Sequence, residues 1–505
     1  MRTGQEYLES LNDGRRVWVG NELIDNVATH PKTRGMAEKI AQFYDLHNRP
    51  DLQDELTFLD ETGERRSMMW YRPRDLEGLR RRRSYYEAVA RYLDATPYQR
   101  LPDANNSVLL TYIDDPAPWE ESSVGTDGRG LADNIERWWQ TFVEGDINAG
   151  PLFVDPQTDR GQESAQATSP ALRIVASNDD GIIVNGVKAI GTSTAFTDYI
   201  HLGVFFRPGI IPEQIIFGVL PTNTDGVTIV CRESLVHDDP VEHPLSSVAD
   251  ELDNAVLFDN VFIPWENVFH LGNPQHAMLY PQRVFDWLHH HIVVRATLRA
   301  ELMSGLAILM SESIGTNVLP AVQTRIAQIV GFHQTLRSHV LAAEYEGFVS
   351  PGGHWKPNIL IVDFGRAYYL ENLPKMTHEL LDLCGRAGII FPTQKQWDDE
   401  SIHGWLEHLQ TGPTKRPEDR IRISRVVRDM FLTDWGDRQK MFDNFQGTPL
   451  MMIRFLTMRR AEFAADGPAT LMAREVCGIE LHRDEETEYA AQADYARAQD
   501  AAAAR

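Results

Sequence analysis

The stretch NDDGIIVNGVKAIGTSTAF, residues 178–196, decides the reading of this chain. Asp180-Gly181 and Asn185-Gly186 are turn dipeptides, and Ile182, Ile183 and Val184 between them suit a strand. A second strand, Val187 to Ile190, then runs into Gly191-Thr192-Ser193-Thr194. The expected hairpin tip combines a glycine with three hydroxyl side chains and free backbone N–H groups. Such a tip can hydrogen-bond the polar edge of a flat heteroaromatic ligand. A solvated hairpin end has the same chemistry, so the surrounding chain has to decide between the two.

Working outward, short β-branched runs flank this stretch. They are Leu172 to Ala176, Tyr199 to Phe206, Gln214 to Leu220, Val227 to Cys231 and Ala255 to Val261, separated by turn signals. That spacing predicts a small antiparallel barrel or sandwich. On the N-terminal side, Met36 to Tyr44 and Asp75 to Leu93 carry apolar residues at three- and four-residue spacing, which predicts helices. On the C-terminal side, Val293 to Ser313, Pro320 to Glu346, Asn358 to Cys384 and Pro417 to Gln446 are long enough for a bundle. The expected architecture is a multidomain α+β chain. It has an N-terminal helical domain (1–143), a central antiparallel β-barrel (144–272), a C-terminal helix bundle (273–485) and a polar, alanine-rich tail (486–505). This order resembles the acyl-CoA dehydrogenase-like flavoprotein fold, in which a flavin lies between the β domain and the bundle.

Composition narrows the function. The 505 residues are 42% apolar and 24% charged, as expected for a soluble globular protein. A formal charge of −24 argues against nucleic acid as a partner. The one dense basic run, Arg80 to Arg83, reads as a solvated or intersubunit helix face. Three scattered cysteines, Cys231, Cys384 and Cys477, form neither a disulfide framework nor a CxxC site and fit a reducing cytoplasm. The N-terminus lacks an apolar signal core, and no apolar run approaches the roughly 20 residues needed to cross a bilayer. There is no G-x-G-x-x-G after a strand, no P-loop and no G-x-S-x-G elbow. His289-His290-His291 catches the eye, but successive helical residues point about 100° apart, so three adjacent histidines do not converge on one metal ion.

Several blocks in a fixed order carry a resemblance. They are Met1 to Leu8 with Asp13-Gly14-Arg15-Arg16, Thr29-His30-Pro31, Ala41 to Leu46, and Asp155-Pro156-Gln157 with Asp159-Arg160. The stretch quoted first comes next, followed by Cys231 to Ser234, His243 to Ser247, Phe258 to Glu266, Glu418 to Arg422 and Asp437-Arg438-Gln439. Over about residues 1–460 the chain resembles the oxygenase component of the 4-hydroxyphenylacetate 3-hydroxylase family.

The resemblance implies a two-component, FADH2-dependent monooxygenase. A separate NAD(P)H:flavin reductase supplies reduced FAD by diffusion. O2 adds at the flavin C4a carbon, and the resulting hydroperoxide oxygenates a small aromatic or heteroaromatic ring, usually a phenol. It further implies a cytoplasmic homotetramer with no membrane or nucleic-acid partner. Arg100, in Arg100-Leu101-Pro102-Asp103-Ala104-Asn105, takes the place of the family arginine near flavin and substrate and is the implied catalytic residue. Gln157, Thr192, Ser193, Thr194, His290, Arg438 and Gln439 take flavin-lining places. Two places depart from the pattern: Ala104 stands where a substrate-contacting tyrosine is usual, and Pro151 where a histidine is usual. A pocket without those polar partners loses discrimination for a simple phenol. The expected substrate is therefore a bulkier or differently oriented ring, as in natural-product tailoring. Two other readings stay open: a dehydrogenase or oxidase that keeps FAD bound, and an impaired family member acting as a binding protein.

Overall fold

Amphipathic spacing and well-placed caps shape the first part of the chain. The structure, a computed structural model, describes residues 1–93, 100–117, 119, 131–157, 168–207, 209–413, 416–458 and 467–479, with 274–285, 386 and 388 described by their backbone alone. The early helices are α1 (Gly4–Ser10), α2 (Arg34–His47), α3 (Leu76–Tyr92), α4 (Pro102–Ser107) and α5 (Ala132–Gly145). Asp75 caps α3 by accepting from the Gly78 N–H at 2.7 Å. Pro102 opens α4, where its missing N–H costs nothing. Asp159-Arg160 and the alanine-rich tail at 486–505 lie outside the described residues.

The first 143 residues are not purely helical. They contribute β1 (Val17–Val19) and β2 (Glu22–Ile24), and a hairpin of β3 (Thr57–Leu59) and β4 (Arg65–Ser67). Downstream lie β5 (Ala149–Leu152), β6 (Arg173–Ser177), β7 (Gly181–Thr192), β8 (Tyr199–Leu202), β9 (Ile216–Pro221), β10 (Val227–Cys231), β11 (Asp253–Pro264) and β12 (Val268–Leu271).

The single antiparallel barrel expected over 144–272 is not what forms. Among the described residues the strands make two open sheets, ordered β2-β1-β10-β11-β7-β6 and β12-β9-β8-β5. The β1–β10 and β5–β8 pairs are parallel. β7 and β11, 12 residues each, are the long antiparallel centre of the first sheet, flanked by β6 and β10, with register shifts between them.

The opening stretch is also rearranged. Asn178 to Asp180 make the expected turn, with the Asn178 carboxamide accepting from the Asp180 and Gly181 N–H groups at 2.9 and 3.0 Å. Asn185-Gly186 is no turn: β7 runs straight through it. Gly186 sits at φ +131°, and a Cβ there would lie 2.8 Å from the Ala171 carbonyl oxygen and Leu172 Cα. The glycine serves close packing of two backbones rather than chain reversal.

From Pro274 the chain is helical: α6 (Pro274–Ser313), α7 (Pro320–Tyr345), α8 (Ile359–Cys384), α9 (Pro417–Phe431) and α10 (Asp434–Phe445). The helical run expected over 417–446 breaks at Thr433, whose hydroxyl caps α10 by accepting from the Gly436 N–H at 3.1 Å. One apolar core joins the N-terminal helices and both sheets to Trp287, Ile292, Val340, Val362 and Trp435; a second fills the bundle around Met303, Phe332, Leu336, Leu380 and Met430. Residues 245–253 lead into β11 and are clamped to the bundle. The Leu245 and Ser246 N–H groups and the Ser246 hydroxyl donate to Asp429 at 2.7, 2.8 and 2.5 Å, and the Trp435 indole donates to the Ala249 carbonyl at 3.1 Å. Among the described residues no helix is long and apolar enough to cross a membrane.

Candidate active site

The clamped segment ends in a carboxylate hub, Glu251-Leu252-Asp253, with Leu252 in the left-handed region at φ +51°. That backbone lets both acids face the same neighbours. Glu251 is fully buried. Its Oε2 accepts from Arg438 Nη1 at 2.5 Å and its Oε1 from the Arg100 backbone N–H at 2.7 Å. Asp253 takes a bidentate bond from Arg438, at 2.8 and 2.6 Å, and a further one from Arg232 Nε at 3.0 Å. Arg232 also forks onto Asp250 at 2.8 and 2.7 Å. Burial alone would lower the Arg438 pKa, but Glu251 and Asp253 outweigh it and raise it. Burial likewise opposes ionisation of Asp253, yet Arg438 and Arg232 hold its carboxyl well below the usual range. Arg438 and Asp253 are therefore fixed charges at any ordinary pH.

Arg100 differs. The Cζ atoms of Arg438 and Arg100 lie over the Phe442 ring, 4.4 and 5.4 Å from its centroid. Phe442 follows Arg438 by four residues on α10, so ring and guanidinium share a face. Arg100 forms no ion pair among the described residues, and its buried Nη1 has no hydrogen-bond partner. Burial, against the attraction of Glu251, brings its pKa down to about 10. The group stays a cation near neutrality, and an exposed-charge deficit of this kind suits an anionic or electron-rich ligand.

The segment that carries Arg100 is fixed to the bundle from below. Asp103 on α4 accepts from His291 Nε2 at 3.1 Å and Arg295 Nη2 at 3.0 Å, all three buried. Its two neighbours on the histidine run turn elsewhere. His289 Nε2 accepts from the Thr448 N–H at 3.3 Å, so Nδ1 carries the proton and donates to Asp363 at 2.8 Å. His290 donates to Glu344 at 3.2 Å, which Arg83 also holds. Burial depresses the pKa of His289 and takes that of His291 to about 4. Arg366 holds the carbonyls of Gln446 and Thr448 around Gly447, where a Cβ would lie 2.7 Å from His289 Nε2.

A fixed carboxylate hub, an unneutralised buried arginine over an aromatic ring and a neutral histidine nearby have recognisable relatives. The family models for the N-terminal and C-terminal parts of 4-hydroxyphenylacetate 3-hydroxylase match residues 3–270 and 277–470. The chain belongs to the 4-hydroxyphenylacetate 3-hydroxylase family. It is 59% identical to the 2,4,6-trichlorophenol monooxygenase of Cupriavidus pinatubonensis (strain JMP 134 / LMG 1197), over 99% of this chain and 97% of the relative. It is 57% identical to the FADH(2)-dependent monooxygenase TftD of Burkholderia cepacia, over 99% and 97%. Among solved structures, the oxygenase component (HpaB) of 4-hydroxyphenylacetate 3-monooxygenase complexed with FAD superposes with a TM-score of 0.85 at 27% identity, over 95% of this chain and 98% of that one.

Set against the residues that the 4-hydroxyphenylacetate 3-hydroxylase family pattern singles out, the hub draws five together: Arg100, Thr192, Ser193, Arg438 and Gln439. Thr192 Oγ1 donates to Asp253 at 2.9 Å, Ser193 Oγ to the Glu251 carbonyl at 3.1 Å, and Gln439 Oε1 accepts from Arg438 at 3.4 Å. The hydroxyls are thus not a free tip: two brace the hub, and Thr194 is buried against Gly191. Ala104 is fully buried on α4, and Pro151 sits in β5 opposite His201 of β8. Gln157 stands exposed after β5, and His290 faces Glu344; among the described residues neither hydrogen-bonds to the hub. Sequence reasoning missed Glu251, Asp253, Phe442 and Asp363, and singled out His289 only as part of the histidine run. Acids in a chain with 73 of them carry no local signature, and Phe442 is visible only as the i+4 neighbour of Arg438.

Proposed function

We propose that this chain is the oxygenase component of a two-component system that uses reduced FAD and O2 to hydroxylate a small, electron-poor phenol such as a chlorophenol. It is a flavin-dependent aromatic monooxygenase by family. The observation that carries the substrate class is the full-length, 59% identity to a trichlorophenol monooxygenase, in a site where Ala104 and Pro151 offer no side-chain hydrogen bond to a phenol. The relatives move the expected ring from a large natural-product scaffold to a compact substituted phenol.

The residues present fit the cofactor. Among the described residues Arg100 Nη1 and Gln439 Nε2 are buried donors without hydrogen-bond partners, and both belong to the group gathered at the hub. A flat ring with acceptors along one edge satisfies such donors. Reduced FAD, once bound, supplies the activated oxygen. Arg438, locked by Glu251 and Asp253, gives the wall its shape, and Thr192 and Ser193 hold the hub from the strand side. Gln157 and Thr194 belong to the same proposed cofactor wall, with Arg100 over Phe442 at its substrate end. The neutral His289 is held between Asp363 at Nδ1 and the Thr448 N–H at Nε2, and so braces the Gly447 turn without adding charge. A β domain of two open sheets between two helical domains, divided near residues 143 and 272, a cytoplasmic homotetramer and a separate reductase complete the proposal. The exposure of Trp405, Phe445, Met451 and Phe455 supports assembly through the C-terminal helices.

The test is oxygen uptake and product formation by the purified chain with an NADH:flavin reductase and FAD. Phenol-dependent hydroxylation of 2,4,6-trichlorophenol well above the reductase-only rate is expected. No phenol-dependent product removes the activity, and a preference for 4-hydroxyphenylacetate removes the substrate assignment.

A further inference from the structure

The Arg100 guanidinium has one described partner, and that partner carries no charge. Both oxygens of Glu251 are taken, one by the Arg100 backbone N–H and one by Arg438. Both oxygens of Asp253 are taken by Arg438, with Arg232 and Thr192 as further donors. The half-buried Phe442 ring meets Arg100 Cζ at 5.4 Å and holds the cation in place without neutralising it. The charged groups facing Arg100 are Glu251 and Asp253 at the start of β11, Arg438 on α10, His291 on α6 and Arg366 on α8.

We propose that Phe442 is a specificity-determining residue: by holding Arg100 over its ring, away from the saturated carboxylates, it keeps an unneutralised cation in the site and so selects phenols that are already ionised. This rests on the reading of the chain as a phenol monooxygenase. A neutral phenol needs a hydrogen-bond acceptor for its proton and a donor to its oxygen. Ala104 and Pro151 supply neither from their side chains, whereas a phenolate needs only the cation. Even at about 10, the Arg100 pKa leaves it charged wherever an acidic phenol ionises. Electron-poor phenols lose ring reactivity but regain it as phenolates, so selecting the anion also selects the reactive form.

The experiment measures KM against pH for 2,4,6-trichlorophenol and for unsubstituted phenol, using the whole oxygenase with reductase and saturating FAD. For 2,4,6-trichlorophenol KM should be flat between its own ionisation and that of Arg100 and rise about tenfold per pH unit below it; for unsubstituted phenol, which ionises where Arg100 loses its proton, KM should fall with rising pH without reaching a plateau. Phe442→Ala should flatten this dependence and raise KM for the acidic phenol at least tenfold, because Arg100 is then released. Phe442→Tyr keeps an aromatic face and should restore the wild-type profile, which a loss of folding would not. Because Arg100 and Arg438 also belong to the proposed cofactor wall, KM for reduced FAD should rise less than the phenol KM in Phe442→Ala and return to the wild-type value in Phe442→Tyr. A KM that rises as the phenol ionises, a break that survives Phe442→Ala unchanged, or a defect confined to reduced FAD overturns the inference. Hydroxylation with such an inverted profile sinks this inference alone, whereas no hydroxylation of any phenol at any pH sinks the activity on which it rests.

Discussion

Two arginines meet one phenylalanine ring and end up with opposite electrostatics. Arg438 donates to Glu251 and bidentately to Asp253, with only 7% of its side chain exposed. Arg100, over the same ring, donates its backbone N–H to Glu251 and leaves its guanidinium unpaired. The difference lies in the elements that carry them. Arg438 sits on a helix capped by Thr433 and pinned through Trp435, so its fork is aimed before any ligand arrives. Arg100 precedes the short α4, whose own anchor is Asp103, three residues on. One arginine therefore acts as structure, and its neighbour acts as a preorganised charge. Charge that is fixed but uncompensated is what a site can use, because it needs no reorganisation when the ligand comes.

The largest effect should come from breaking the compensated side. Arg438→Met leaves Glu251 and Asp253 buried without their main partner, and removal of one member of a buried ion pair typically costs about 3–5 kcal/mol. Urea unfolding should shift by that order, with activity lost alongside. If Arg438→Met unfolds like the wild type, the hub is not what fixes β11 to α10. The uncompensated side should respond in the reverse way. Arg100→Gln removes a charge that forms no ion pair among the described residues, so stability should change by less than about 1 kcal/mol. Phenol turnover, read as kcat/KM with reduced FAD supplied by a reductase, should fall about 100-fold or more. Equal stability losses in the two variants would erase the distinction between the two arginines.

How much of this was legible in the sequence follows from the range of each signal. Two of the long bundle helices were readable nearly to their ends, Pro320–Tyr345 and Ile359–Cys384 falling within a residue of expectation, whereas the helix expected from Val293 begins at Pro274. The Asn185-Gly186 dipeptide misled because turn chemistry is local, while the choice between a turn and a close strand contact depends on Ala171 and Leu172, which lie well upstream. The barrel misled because closure depends on which edge strands pair, and β1 and β2 come from a part of the chain read as helical. At the site, Arg100, Thr192, Ser193, Arg438 and Gln439 were named from the family resemblance, and the fold brings these five to one hub. Glu251 and Asp253 were not legible, because what marks them is the convergence of segments some 150 and 185 residues away in each direction.

Acid should expose a third contrast, between the salt-bridged hub and the buried neutral histidines. The folded protein holds His291 at about 4 and His201 at about 3, both because burial disfavours the imidazolium, against about 6.5 in an unfolded chain. A depressed folded value contributes stability that is fully present above the unfolded pKa and is lost as pH falls toward the folded one. The unfolded state takes up protons first, so each histidine should cost about 1.4 kcal/mol per pH unit below 6.5. Asp103 and Asp253, also depressed, add to the loss only below about 4, near the unfolded aspartate value. Thermal unfolding should therefore weaken steadily from pH 6.5 to 4, before Asp103 or Asp253 is protonated. A midpoint flat over that interval would mean that His201 and His291 are charged in the folded state.

The smallest expected effect gives the sharpest test of where the cofactor wall ends. Gln157 is exposed, follows β5 and makes no hydrogen bond to the hub among the described residues. Gln157→Ala should leave urea unfolding within about 0.5 kcal/mol of wild type, as for other exposed substitutions. If Gln157 reaches reduced FAD, one lost neutral hydrogen bond is worth about 1 kcal/mol, so KM for reduced FAD should rise about fivefold with KM for the phenol unchanged. Arg100→Gln should instead raise the phenol KM or lower kcat. A Gln157→Ala enzyme identical to wild type in both constants would confine the cofactor wall to the residues that the hub gathers, and leave the exposed loop after β5 outside it.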